Sequence, residues 1–189
     1  MLTGPVRRGR GAFTLVEILI GLVIIAVMAA VLVPAVGGRL RQSQASAIGD
    51  QISNLTKAIA AYRTNVLRYP RNLDLLTNVP VAGVSQDICS NAMVAANVNL
   101  WRGPYMDRPI SGDFPIGDAT VVNLMARADP AATAVSNLIL SINLVDTVAA
   151  VALEAQYDGN ANFTTGAIRW TWTNPNVGTL QYYMPIRNC

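Results

Sequence analysis

The sequence predicts an α+β fold: a long N-terminal helix, membrane-like in its first half and amphipathic in its second, packed on a small C-terminal antiparallel β-sheet domain with short helices. Three observations predict it. An apolar run from Phe13 to Val36 contains one charged residue, Glu17. Apolar residues then recur at helical spacing from Ile48 to Val66. Near the C-terminus, two β-rich segments flank the turn sequence Asn174-Pro175-Asn176-Val177-Gly178. The organisation expected is a basic leader over 1–12, an apolar helix over 13–38, an amphipathic helix half over 39–69 and a globular domain over 70–189.

The first element is long enough to cross a bilayer. Ile18 to Val36 carries no charge and as a helix spans about 28 Å, against a hydrocarbon core of about 30 Å. A secretory signal peptide has a shorter apolar region, about 7–15 residues, and Glu17 fits such a region poorly. Arg7-Arg8 suggests a twin-arginine signal, but Gly9-Arg10-Gly11 follows where an apolar run belongs. A plain single-pass anchor leaves Glu17 without a purpose, at a cost on the order of 1 kcal/mol or more for an acid in the membrane.

Composition narrows the chemistry. Hydrophobic residues make up 52% of the chain and charged residues 13%, with much of the apolar excess in the N-terminal run. The formal charge of +3 comes from Arg7, Arg8 and Arg10, because every acid lies after residue 12. The remainder is balanced, so the basic pI is no argument for a nucleic-acid partner. There is no histidine, which excludes histidine triads, histidine bases and most transition-metal sites.

The arrangement of residues 7–34 resembles the type IV prepilin signature, which the pseudopilins of type II secretion share. The parts that match are a short basic leader, a small residue, Phe13-Thr14-Leu15-Val16-Glu17, and a long apolar helix containing Pro34. The resemblance implies that a membrane peptidase cuts between Ala12 and Phe13 and methylates the new amine of Phe13. Phe13 becomes the first mature residue, Glu17 the fifth and Pro34 the twenty-second, in the family's register. Ala12 departs from the glycine usual before the cut; cutting after Gly11 would put Glu17 out of register.

That processing gives the acid a partner. A carboxylate alone in lipid is unfavourable, and so is the free amine at Phe13; Glu17 of one subunit beside the Phe13 amine of the next neutralises both. Pro34 removes a backbone donor within the helix, so Pro34, Gly37 and Gly38 mark an expected kink or locally unwound stretch. The alternative there is a helix that ends at the membrane exit.

In the second half of the helix, Ile48, Ile52, Leu55, Ile59, Tyr62 and Val66 form a narrow apolar stripe ending before Tyr69-Pro70, with Gln42, Asp50, Lys57 and Arg63 off it. The stripe requires a domain to cover it, and residues 70–189 provide one. Tyr62 with Arg68-Tyr69-Pro70, and Trp101-Arg102-Gly103-Pro104-Tyr105-Met106, resemble stretches of major type II pseudopilins. Read as residues, Tyr69, Trp101 and Tyr105 are core and turn positions rather than a ligand box.

Residues 119–157 are rich in alanine and valine with few turn signals, which suggests one to three short helices, with Asp129-Pro130 as a cap and first-turn proline. The tail reads as a closing hairpin. Cys89 and Cys189 are the two cysteines. In an exported domain they are expected to pair, two buried thiols being the alternative. The loop so closed would contribute at most about 4–5 kcal/mol.

Asp158, Asn160 and Asn162 place oxygens at alternate positions, like the start of an EF-hand loop, but Phe163 replaces the turn glycine and Arg169 the bidentate acid. A hairpin-type turn is the leading reading. Calcium there is a lesser expectation, prompted by major pseudopilins that bind calcium in a C-terminal loop. No other cofactor is expected.

The leading functional expectation is a structural, non-enzymatic subunit that polymerises into a type IV pilus-like filament. The resemblance implies a homopolymer, a prepilin peptidase, an inner-membrane assembly platform and its ATPase, with the precursor held in the inner membrane before extracellular assembly. The alternatives are the major pseudopilin of a type II secretion system, in the periplasm, and a minor or tip pilin for adhesion or DNA uptake. From another class comes a membrane-anchored exported enzyme or binding domain, for which no convergent polar constellation is evident.

Overall fold

The computed structural model describes residues 14–128, 136–159 and 162–187; over 31–41 it describes the backbone alone. The chain divides into two compact units, Met1–Leu40 and Arg41–Cys189. Helix α1, Leu15–Val66, is continuous in its backbone from one into the other.

In the first unit, Thr14 caps α1. Its side-chain oxygen accepts from the Glu17 N–H at 3.2 Å, and its carbonyl accepts from the Ile18 N–H at 3.3 Å. Thr14 with Glu17 three residues on is the capping-box sequence, and the acid sits in the first turn where the helix dipole favours it. The helix assignment is unbroken through Pro34, Gly37 and Gly38, whose side chains lie outside the described residues.

In the second unit, the apolar stripe of α1 is the spine of the core. Ile48, Ile52, Leu55, Ile59, Tyr62 and Val66 are all fully buried, as the helical spacing predicts. Lys57 and Asp50 face solvent. The helix stops where Leu67 takes a left-handed φ of 64°, and the Val66 carbonyl accepts from Asn97 Nδ2 at 3.0 Å. A 3₁₀ turn, Leu73–Leu76, follows, with its first N–H groups held by Asn123. The short helix α2 spans Ala95–Val98.

The sheet is antiparallel and six-stranded: β1 Phe114–Ile116, β2 Ala119–Val121, β3 Ala126–Ala128, β4 Ser136–Asp146, β5 Ile168–Asn174 and β6 Val177–Ile186. The order is β1-β2-β4-β6-β5, with β3 also paired to β4. β4 is central. β6 pairs along it from Ser136↔Ile186 to Asp146↔Val177, so β2 and β3 share its other edge. The predicted hairpin is present as β5 and β6, joined at the Asn174–Val177 turn. Leu138, Leu140, Ile142, Ile168, Trp170 and Leu180 join the α1 stripe in one core.

Of the one to three short helices expected over 119–157, one is present, and the strands beside it were not read from the sequence. Among the described residues there, α3, Thr147–Tyr157, is the helix, while β2, β3 and β4 are strands ahead of it. Asp129-Pro130 lies outside the described residues. The misreading has a physical cause. In β4, Leu138, Leu140 and Ile142 are buried on one face and Ile139 on the other, so residues 138–140 lack the alternation of a half-exposed strand, and the alternation that Ser141 and Asn143 introduce is short. α3 begins at its own cap, the Asp146 carboxylate accepting from the Val148 N–H at 2.8 Å.

Candidate functional site

The first candidate is the N-terminal segment of α1. From Leu15 to Met28 every large apolar side chain is exposed, Leu15 by 78% and Ile25 by 64%. The apolar residues go all the way round the helix, and nothing among the described residues covers them. A helix of that kind requires lipid or other helices around it. Glu17 is its one charged residue, and it is exposed. Ala12 and Phe13, the expected cleavage and methylation positions, lie outside the described residues. Among the described residues no helix is long and apolar enough to cross a membrane; the side chains of 31–36, which complete the apolar run, are not among them.

The second candidate is the end of α1, where the two pseudopilin-like stretches meet separate neighbours. Asp87 is 1% exposed and fully engaged. Its Oδ1 accepts from the N–H groups of Cys89 at 2.9 Å and Asn91 at 2.8 Å, and its Oδ2 from Asn91 Nδ2 at 3.1 Å. Arg68 donates to Oδ2 at 3.4 Å. Ile88 donates to the Tyr69 carbonyl at 3.0 Å, and the Arg63 guanidinium lies over the Tyr69 ring. Arg68, Tyr69 and Pro70 therefore clamp the loop bearing Cys89 to the helix end.

The stretch Trp101–Met106 packs beside it. Trp101 Nε1 donates to the Leu75 carbonyl at 3.2 Å. The Tyr105 hydroxyl accepts from Asn65 Nδ2 at 3.1 Å and from the Arg102 N–H at 3.0 Å. Tyr62, Tyr105 and Trp101 meet edge to face. The Gly103–Pro104 peptide is cis, and a Cβ on Gly103 would meet the Trp101 indole Cε2 at 2.8 Å. These aromatics are structural, as read from the sequence: they fix the Trp101–Tyr105 turn on the helix. The Tyr62 hydroxyl has no partner among the described residues, and burial pushes its pKa up. An open groove of about 520 Å³ runs alongside, lined by Gln51, Asn54, Lys57, Tyr105, Asp107 and Arg108.

At the calcium candidate, the Asp158 carboxylate accepts the N–H groups of Ala167 at 2.9 Å and Ile168 at 2.8 Å. Asn162 Oδ1 accepts from the N–H and hydroxyl of Thr164. Asn160 lies outside the described residues. These oxygens hold the loop before β5, the work of a turn. Beside them, Glu154 is 1% exposed; burial, then the Asp158 charge, pushes its pKa up. Among the described residues no group of three or more His, Cys, Asp or Glu side chains is placed to hold a metal.

Cys89 lies within contact of the Arg127 guanidinium and is not a free thiol. Its expected partner, Cys189, lies outside the described residues. Sequence reading missed Asp87 and Glu154. Asp87 gave no local signal, because its partner Arg68 is 19 positions away. The Thr14-x-x-Glu17 capping box was legible and passed over.

Residues 7–33 match the family model for the prokaryotic N-terminal methylation motif. The matched segment is the prepilin signature that type IV pilins and pseudopilins share. A signature of this kind is associated with processing by prepilin peptidase. No curated protein and no solved structure matches the chain significantly.

Proposed function

We propose that the chain is a structural subunit of a type IV pilus-like filament, assembled from the inner membrane after cleavage between Ala12 and Phe13. The observation that carries this reading is the uncovered helix from Leu15 to Met28, apolar on all sides with Glu17 alone charged. Lipid covers that surface in the precursor and neighbouring helices cover it in the polymer. The Phe13 amine of one subunit pairs with Glu17 of the next, which fixes axial register more than it adds stability. Bending at Pro34–Gly38 lets the helix adjust to its neighbours. A Cys89–Cys189 disulfide ties the tail to the loop that Arg68 clamps. The subunit needs no cofactor and performs no catalysis; its partners are further copies, the prepilin peptidase, the inner-membrane platform and its ATPase.

A second reading is the major pseudopilin of a type II secretion system, favoured by the packing of Arg68-Tyr69-Pro70 and Trp101–Met106 around the helix end. Mass spectrometry of the mature N-terminus tests the shared part of both: N-methylated Phe13 is expected, and an intact Met1 would favour a plain anchor. Imaging then separates them, because a pilus extends from the cell surface and a pseudopilus stays in the periplasm.

A further inference from the structure

Two stretches of the chain have the Asn-x-Thr pattern of an N-glycosylation acceptor, Asn54-Leu55-Thr56 and Asn162-Phe163-Thr164. The fold presents them differently. The first lies inside α1, with Leu55 fully buried in the core. Positions two apart on an α-helix point about 160° away from each other, and the Thr56 hydroxyl donates to the Ser53 carbonyl at 2.9 Å. The Asn54 amide and the Thr56 hydroxyl therefore meet only if the helix unwinds.

The second lies in the loop between α3 and β5, with Asn162 and Thr164 both exposed. There the two polar side chains already meet. Asn162 Oδ1 accepts from the Thr164 N–H at 3.1 Å and from its hydroxyl at 2.7 Å. A backbone N–H can only donate, so the atom facing it is the amide oxygen, and Nδ2 of the planar amide lies on the side away from Thr164. Phe163 between them is half-buried. Its ring packs on Trp170 with centroids 5.6 Å apart, and its carbonyl accepts from the Trp170 N–H at 3.2 Å. The middle residue thus anchors the turn to β5 while its two neighbours face solvent.

This arrangement suits an amide nitrogen for glycosyl transfer. Such a nitrogen is a weak nucleophile, because its lone pair is delocalised onto the oxygen. Loss of an Nδ2 proton puts negative charge on Oδ1, and two donors already aimed at that oxygen stabilise the charge as an oxyanion hole does.

We propose that Asn162 of the folded subunit is an acceptor for an N-linked oligosaccharide, and that Asn54 is not. The donor is an oligosaccharide joined through its anomeric carbon to a lipid diphosphate, used by a membrane oligosaccharyl transferase. A bond forms between Asn162 Nδ2 and the anomeric carbon as the bond from that carbon to the diphosphate oxygen breaks. The electron pair leaves with the diphosphate, and the Nδ2 proton passes to a base of the transferase. The proposal rests on the filament reading only for export of the globular unit, and adds a sugar to that unit beside β5.

The test is glycosylation of the folded full-length chain in detergent by a transferase of Asn-x-Thr specificity, supplied with a lipid diphosphate-linked oligosaccharide. Peptide mass spectrometry should show the mass of one oligosaccharide added to the peptide bearing Asn162 and none on the peptide bearing Asn54. Asn162→Gln and Thr164→Val should each abolish the gain, and Thr164→Ser, which keeps the hydroxyl, should retain it. Melting curves of the variants separate loss of the acceptor from loss of the fold. A folded wild-type chain left unmodified while a control Asn-x-Thr peptide is modified would overturn the proposal. So would a Thr164→Val chain modified as fast as wild type, or Asn54 modified as readily as Asn162. The assay needs no polymer, so its failure leaves the filament reading standing, and a modified chain that never assembles in cells would remove the filament reading alone.

Discussion

Arg68 and Asp87 form an ion pair at 3.4 Å that joins the end of α1 to the loop bearing Cys89, with Asp87 buried and Arg68 41% exposed. The two ends of this pair are unequal. Asp87 also accepts three hydrogen bonds from its own loop, so Asp87→Ala leaves buried donors unmet and should cost about 2–4 kcal/mol. Arg68→Ala should cost under about 1 kcal/mol, because its charge is partly in water. Chemical unfolding of the two variants checks the order; equal losses would mean the pair, rather than the loop, is what Asp87 supports.

Glu154 should make the protein less stable as pH rises. Its pKa is raised in the folded state by burial and by Asp158, so the folded chain holds a proton that the unfolded chain has released. The proton linkage therefore lowers stability from the ordinary carboxylate range near 4.5 up through the folded pKa. Glu154→Gln should change little at pH 4 and stabilise at pH 7 by about 1 kcal/mol. Melting curves at the two pH values decide it, and a larger gain at pH 4 would reverse the sign.

Gly178 pairs with Trp172 across β5 and β6, and a Cβ there would meet Trp170 Cε2 at 2.6 Å and Nε1 at 2.7 Å. Gly178→Ala should destabilise by about 1–3 kcal/mol through overpacking. Trp170 and Trp172 lie with ring centroids 3.9 Å apart, so near-ultraviolet circular dichroism should change as well. An unaltered spectrum and unaltered stability would show that the indole and the Thr171 backbone oxygen, which a Cβ would also meet, can move aside without cost.

Glu17→Ala and Glu17→Gln should both leave membrane insertion and methylation of Phe13 intact and lower filament yield at least tenfold. The Thr14 hydroxyl bond to the backbone N–H of residue 17 survives either change, so loss of the helix cap would not explain the result. Normal filaments from either variant would remove the proposed pairing with the Phe13 amine.

The Cys89–Cys189 disulfide should appear as a loss of two hydrogens in the intact mass, reversed by reductant. Reduction should lower stability by up to about 4–5 kcal/mol in the chain-entropy model. A free thiol titrated in the folded, exported chain would remove the pairing.

The sequence and the structure agree most closely where the pattern is local. Ile48 to Val66 share one face because the helical period alone puts them there, and all six are buried. The β5–β6 hairpin was equally legible, since its turn and both of its strands are contiguous. β4 was not, because Leu138-Ile139-Leu140 is buried on both faces and lacks the alternation that marks strands, and its pairing with β6 joins positions tens of residues apart. The N-terminal signature likewise depends on order along the chain and needs no tertiary contact to be recognised.

The sequence by itself determined the prepilin signature, the long helix with its buried stripe and the closing hairpin, since each is written in residues close together in the chain. Only the tertiary structure decided that Asp87 anchors Arg68, that Glu154 is buried while the valines of α3 face solvent, and that β2, β3 and β4 are strands. Burial and long-range pairing follow from how distant segments meet, and no local period encodes that meeting.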